Sequence, residues 1–286
     1  MRPARSLLLL ILPLISGVLI SPAAAQAPTV SLSWDPLTGA RSRLTRDWQG
    51  RRPLPFNTEI LVMPGHADSQ GIPGSGTRGE AVALHGAAPM QPGISDELHW
   101  NLLTAQAIVQ RGRKQGLQLR YYDPQVRTIA DGDDPRTTWS VGRKHSEAGG
   151  YALEIHYDAY GPEGVGSGLI VPLNRSPSRI DESLAQEFGN YPAHYRDGLG
   201  APRRGIAILE IGQLEGQLER SLRDPASRAN TIDAIAERVV RALARGLEQP
   251  LTPAQPLTPD LSFRSRPDGA RTDLPAPDPP ASSEVW

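Results

Sequence analysis

Three short apolar runs, spaced between long amphipathic patterns, set what this chain can fold into. The runs cover residues 60–63, 152–157 and 205–211. Runs of this length bounded by turn signals read as buried strands. Residues 117–122 and 168–173 add two more candidates. Between them, residues 96–115 carry Leu98, Leu102, Ala105 and Val109 at helical spacing, and residues 231–245 carry Ile232, Ala236, Val239 and Leu243 in the same way. Strands interleaved with helices predict an α/β fold, a three-layer sandwich whose mixed, mostly parallel sheet is flanked by helices.

The helix ends are marked. Ser95 is placed to cap the first long helix, with Asp96 and Glu97 in the turn where acids are favoured. Arg111, Arg113 and Lys114 suit its last turn, and Gly116 ends it. Asn230 and Gly246 bracket the second long helix, and Ser178 caps a shorter one over 180–188. Residues 64–95 are dense in Gly, Pro, Ser and Ala and read as a long loop bordering a site. Residues 123–150 read as polar and turn-rich.

Outside this core the chain changes character. Arg2 and Arg5 precede an apolar stretch over 7–20, and Ala23, Ala24 and Ala25 supply small residues for cleavage. That pattern predicts a secretory signal peptide over 1–25 rather than a membrane span, and hence a periplasmic or extracellular location with no span in the mature chain. Residues 26–55 read as an N-terminal extension, with an alternating edge-strand pattern at Val30, Leu32 and Trp34. Residues 56–248 form the expected catalytic domain. Prolines recur through 249–286 with few apolar residues between them, the composition of a disordered tail. With no cysteine, an exported chain of this size has no disulfides, and any metal must be held by His, Asp or Glu. The formal net charge of −1 and the absence of a basic stripe give no sign of a nucleic-acid partner. Oligomeric state is not legible.

Four side chains share one setting. His66 follows the 60–63 run, His156 lies at the end of the 152–157 run, Glu210 lies at the end of the 205–211 run, and Glu97 opens a helix. Open α/β sheets gather ligands at the carboxyl ends of their strands, so these residues are placed to converge. Two imidazoles and a carboxylate are a donor set for catalytic zinc, which leaves a coordination position open and activates water near neutral pH. Glu210, a carboxylate on a buried strand between Leu209 and Ile211, is costly unless paired or functional. It is the candidate general acid/base.

Pro64-Gly65-His66, Glu97 with Asn101 four residues later, Ile155-His156 and Leu209-Glu210-Ile211-Gly212 stand in an order that resembles the zinc-dependent N-acetylmuramoyl-L-alanine amidases. The resemblance spans about residues 58–247. It implies zinc ligands at His66, Glu97 and His156, Glu210 as the acid/base, and peptidoglycan or a peptide as the substrate. The chain departs from the family at Ala67 and Asp68 (usually two glycines), at Glu154 (often serine), at Tyr157 (often alanine) and at Gln213 (usually aromatic).

Taken one at a time, these residues have ordinary readings. A lone His after an apolar run is more often structural than a ligand, and acids favour a first helical turn in any case. Glu154 shares the strand parity of His156 and is a candidate partner behind the metal, or a salt-bridge residue. Asp158 is a second candidate ligand or orienter. Arg143, and with it Arg78, are candidates for a substrate carboxylate. His85 in the long loop is a candidate substrate contact. His145 and Glu147 are candidates for the site rim. Gly74-Ser75-Gly76 lacks the context of a phosphate loop. Two alternatives keep the same fold: a non-catalytic cell-wall or ligand-binding module, and a zinc carboxypeptidase or other amidohydrolase.

Overall fold

A computed structural model describes residues 32–42, 46–191, 195 and 198–251. The expected signal peptide, His194 and the tail beyond residue 251 lie outside the described residues.

Five strands form the central sheet: β3 (Ile60–Pro64), β4 (Leu119–Tyr121), β5 (Tyr151–Asp158), β6 (Gly168–Ile170) and β7 (Ile206–Gln213). They lie in the order β4-β3-β5-β7-β6. β3 pairs in parallel with β4 and β5, β5 pairs in parallel with β7, and β6 runs antiparallel to β7. The mixed, mostly parallel sheet expected from the sequence is therefore present, with helices on both faces.

Side-chain alternation sorts the core. Ile60, Val62, Leu153, Ile155, Tyr157, Leu209 and Ile211 point to one face. There they meet α2 (Asp96–Lys114), α4 (Arg179–Phe188), α6 (Gly216–Arg223) and α7 (Arg228–Gly246). Leu61, Met63, Ala152, Ile206 and Ile208 point to the other face. α3 (Thr138–Glu147) and the short α5 (Gly200–Arg203) cover it. Glu154, His156 and Glu210 have the parity of the second face; Glu154 lies level with Met63 and Ile208, while His156 and Glu210 stand nearer the carboxyl ends of their strands, past that apolar layer.

Two helices escape the periodicity reading. α3 buries only Thr138, Ser140 and Gly142, so it shows no apolar stripe. A Cβ at Gly142 would come within 2.6 Å of Ile206, which is why this polar helix can lie flat on the sheet. α6 buries Leu218, Glu219 and Leu222 along eight residues, too short a pattern to register. α7 begins at Arg228, ahead of Asn230, and the Thr231 amide donates to Ser227 O at 2.9 Å to close its first turn. The α2 stripe runs through Leu98, Asn101, Thr104, Ala105, Ile108 and Val109, so polar Asn101 and Thr104 take core positions while Leu102 is half-buried.

The loop after β3 holds only the four-residue α1 (Glu80–Ala83). The N-terminal segment supplies an antiparallel hairpin, β1 (Leu32–Asp35) and β2 (Gly39–Ser42). Asp35 Oδ1 accepts hydrogen bonds from the turn amides of Leu37 and Thr38, and Asp35 pairs with Arg238 of α7 at 2.8 Å. The amide of Ser167 donates to Ala40 O at 2.8 Å, tying the hairpin to the strand that precedes β7. No helix among the described residues is long and apolar enough to cross a membrane.

Candidate metal centre

The first side chain of the site is aimed by a strained turn. β3 ends at Pro64, and His66 adopts φ 60°, a left-handed conformation that costs a non-glycine residue energy and persists only where its surroundings hold it. Three bonds hold this turn. The Gly65 amide donates to Ile155 O at 2.9 Å, Asn101 Nδ2 donates to Gly65 O at 3.0 Å, and Gln70 Nε2 donates to His66 O at 2.9 Å. Gly65 cannot be replaced by a larger residue without collision, because a Cβ there would lie 2.1 Å from His156 Nε2.

Glu97 is brought in by the start of α2. The Leu98 amide donates to Ser95 Oγ at 3.2 Å, a cap worth about 1 kcal/mol that fixes the first turn. The two oxygens of Glu97 then divide their work. Oε2 accepts the Thr77 amide at 2.8 Å, while Oε1 lies 3.3 Å from His66 Nε2 and 3.2 Å from His156 Nδ1. The imidazoles stand edge to face with centroids 4.8 Å apart.

The remaining nitrogens are also engaged. His66 Nδ1 lies 2.9 Å from Ser75 Oγ, and His156 Nε2 lies 3.5 Å from Glu154 Oε2. If each of these atoms carries the ring proton, the lone pairs of His66 Nε2 and His156 Nδ1 face Glu97, the tautomers a metal requires. Glu210 stands beside His156 as its partner in the β5–β7 ladder. Its Oε2 is buried and has no hydrogen-bond partner. Glu154 Oε1 is buried and unpartnered as well.

These charges explain each other. Burial pushes the Glu97 carboxyl up, but the charge on His66 and hydrogen bonds from both imidazoles outweigh burial and hold it well below the usual carboxylate range. Burial pushes Glu210 well up, and the neighbouring Asp158 and Glu97 add to that against the opposing charge of His156. His156 resists burial and is held well above its ordinary value by hydrogen bonds to Glu154 and Glu97 and by the charge of Glu210. Three carboxylates crowd one imidazole, an arrangement that calls for a cation.

The donor set fits zinc. His66, Glu97 and His156 offer one ligand atom each, all within 4.8 Å of one another. Ligands about 2.1 Å from a tetrahedral ion lie roughly 3.4 Å apart, and the two Glu97–His separations match that spacing. The mix of imidazole nitrogens with one carboxylate oxygen is the donor chemistry zinc takes in hydrolases. Beside the cluster opens a cavity of about 610 Å³ that Glu210 also lines.

The other candidates take different places. Asp158 lines the same cavity, but it accepts the amides of Ala159, Val165 and Gly166 and so holds the loop after β5. Arg143 pairs with Asp133 at 3.5 Å and does not line the cavity. His85 is exposed and lies 3.6 Å from Glu80. His145 lies at the opposite edge of the sheet, with Nε2 2.9 Å from Glu59 O just ahead of β3, because α3 runs back along the sheet and ends there. His99 packs edge-on against Trp100. Tyr157, in the usual place of an alanine, points to the α2 face, where its hydroxyl meets Thr104 at 2.8 Å. Ser75 and Thr77, both in contact with the ligand residues, were not singled out by the sequence. They sit in a glycine-rich loop with no periodicity, and only the fold brings them to His66 and Glu97.

No known family profile matches this sequence, and no curated protein matches it. Solved structures of similar fold include N-acetylmuramoyl-L-alanine amidases. The catalytic domain of one from Bacillus (Paenibacillus) polymyxa var. colistinus is 14% identical, with 67% of this chain and 98% of that chain covered and a TM-score of 0.45. One from Mycobacterium abscessus, in its apo form, is 18% identical, with 65% and 98% covered and a TM-score of 0.44. One from Nostoc punctiforme is 14% identical, with 68% and 98% covered and a TM-score of 0.40. At these scores the likeness lends no weight to a function, which rests on the side chains of the site.

Proposed function

We propose that this chain is an exported zinc hydrolase that cleaves the amide between the muramyl lactyl group and L-alanine in peptidoglycan. The observation that carries the reading is the convergence of His66 Nε2, Glu97 Oε1 and His156 Nδ1 beside the unpartnered carboxylate of Glu210. The choice of substrate is supported by the four matched sequence motifs, in order, around those residues. Export is supported by the composition of residues 1–25.

His66, Glu97 and His156 would hold the ion. Bound zinc polarises an amide carbonyl and activates water near neutral pH. The chain's own residues supply the rest. Ser75 and Glu154 hold the imidazoles by their outer nitrogens, and Thr77 holds the second oxygen of Glu97. Glu210 Oε2 takes the proton of the attacking water and passes it to the departing alanine nitrogen. A carboxyl whose proton affinity is raised by burial suits both halves of that transfer.

The test is direct. Protein loaded with zinc and incubated with purified peptidoglycan should release peptides with a new L-alanine amino terminus. His66→Ala should lose both zinc and release. Peptidoglycan left intact by fully metal-loaded protein rejects the reading.

A further inference from the structure

A second cavity of about 590 Å³ adjoins the metal cavity and shares three lining residues with it: Gly74, Gly76 and Arg78. Among the described residues Arg78 is the only Lys or Arg lining either space. Around it the charges are negative. Glu97, Asp158, Glu163 and Glu210 line the metal cavity. In the second cavity Asp96 is the other charged side chain, and it is already bound to Arg223 and to the Met90 amide.

The backbone around Arg78 is fixed on both sides. Before it, Thr77 N donates to Glu97 Oε2 at 2.8 Å and Glu97 N donates to Thr77 O at 3.2 Å. After it, Glu80 N donates to Leu214 O at 2.9 Å and Ala81 N donates to Glu219 Oε2 at 3.0 Å. Gly79 takes φ 76°, and a Cβ there would lie 2.4 Å from Glu219 Oε1, so the chain can turn past Arg78 only with glycine at that position. The Arg78 side chain is exposed and has no hydrogen-bond or ion-pair partner among the described residues. A guanidinium on an anchored base, left unpaired at the junction of two cavities, is prepared for a planar anion arriving with a ligand.

We infer that Arg78 binds a free carboxylate of the peptide on the amine side of the scissile bond, and that the second cavity receives that peptide. This inference deepens the proposed function and rests on it for the position of the bond. An acidic peptide entering past Glu163 meets repulsion, and Arg78 is, among the described residues, the only Lys or Arg that lines its way. Arg78 is the group that turns this repulsion into selection for a carboxylate at one place.

Three muramoyl tripeptides test it. The first carries D-isoglutamate as its second residue and the second carries D-isoglutamine, both with an amidated C-terminus. The third pairs isoglutamine with a free C-terminal carboxylate. Binding to zinc-loaded protein is measured by calorimetry on the Glu210→Gln variant, and cleavage is measured on the unsubstituted protein. The first peptide should bind about tenfold more tightly than the second, the value of one charge-assisted pair. In Arg78→Ala, with zinc content and circular dichroism unchanged, that ratio should fall to near one, and Arg78→Lys should keep part of it. Cleavage of all three peptides without an Arg78-dependent preference overturns the inference and leaves the amidase reading standing. Arg78-dependent binding without cleavage overturns the amidase reading, and with it the placing of the carboxylate relative to a scissile bond, and leaves Arg78 as a carboxylate site. A preference for the third peptide over the first moves the subsite to a terminal carboxylate and overturns the inference as stated.

Discussion

His156 and Glu210 are directly paired in the parallel β5–β7 ladder, and their side chains rise from the same face of the sheet. Register alone therefore sets the Glu210 carboxyl beside the His156 imidazole. Just beyond this pair the register shifts, so that Asp158 meets Gln213, and the loop that follows lines the cavity with Ala159, Tyr160 and Glu163. The pairing separates two roles that a point substitution can distinguish. Glu210→Gln keeps the shape and removes the proton acceptor. It should bind zinc with unchanged stoichiometry while turnover of a muramoyl peptide falls about 10²- to 10⁴-fold. Turnover within a factor of two or three of the unsubstituted protein would assign the proton transfer to another group.

Glu154 stands behind His156, buried, with Oε2 3.5 Å from Nε2 and Oε1 without a partner. A carboxylate behind a ligating imidazole fixes its tautomer, and losing such a partner typically costs 10- to 100-fold in metal affinity. Glu154→Ala should lose affinity in about that range, read by competition with a chromogenic chelator. Glu154→Gln, which keeps an acceptor for the Nε2 proton, should recover most of it. Equal affinities for all three proteins would make Glu154 a packing residue.

How far the sequence foretold this site depends on the kind of residue. His66, His156 and Glu210 were legible because each ends an apolar run, and the carboxyl edge of an α/β sheet is where such ends meet. Glu97 was legible because Ser95 and the acidic first turn mark the start of α2. The helices α3 and α6 were not. One buries small and polar side chains and the other is two turns long, so neither writes a hydrophobic period. Ser75 was invisible for a related reason, since a serine between two glycines gains its meaning only when the loop folds back onto His66. Arg143 and His145 fell on α3, whose direction the sequence does not state. Its far end carries His145 away from the site.

Gly65 is where the turn and the strand come closest. An alanine there puts its Cβ 2.1 Å from His156 Nε2, inside contact distance, so the imidazole must swing out of line with Glu97. Overpacking of this kind costs about 1–3 kcal/mol. Gly65→Ala should lower zinc affinity at least about tenfold, in keeping with about 1.4 kcal/mol or more, while the metal-free protein keeps its circular dichroism. The double variant Gly65→Ala with His156→Ala should bind zinc no worse than His156→Ala alone, because the clash has gone. An additive loss would place the effect of Gly65 elsewhere.

Glu219 controls the segment that presents Arg78. Buried on α6, it accepts the Ala81 amide with both oxygens and so holds the first turn of α1. Burial raises its carboxyl to about 7, helped by the charges of Asp96 and Glu80 and opposed by the Ala81 amide and Arg223. The unfolded value is 4.5, so between these limits the folded protein holds a proton that the unfolded chain has released. The contribution of this group to stability is then lost as pH rises from about 4.5 to about 7 and is constant above that range. Glu219→Gln cannot ionise but still offers an oxygen to Ala81. Its melting temperature, measured against that of the unsubstituted protein, should rise from about pH 5 to about pH 8, with the whole change falling below about pH 7 to 7.5. A difference that stays flat over that interval would mean that Glu219 is ionised throughout. The hold on Ala81, and through it on Arg78, would then owe nothing to pH.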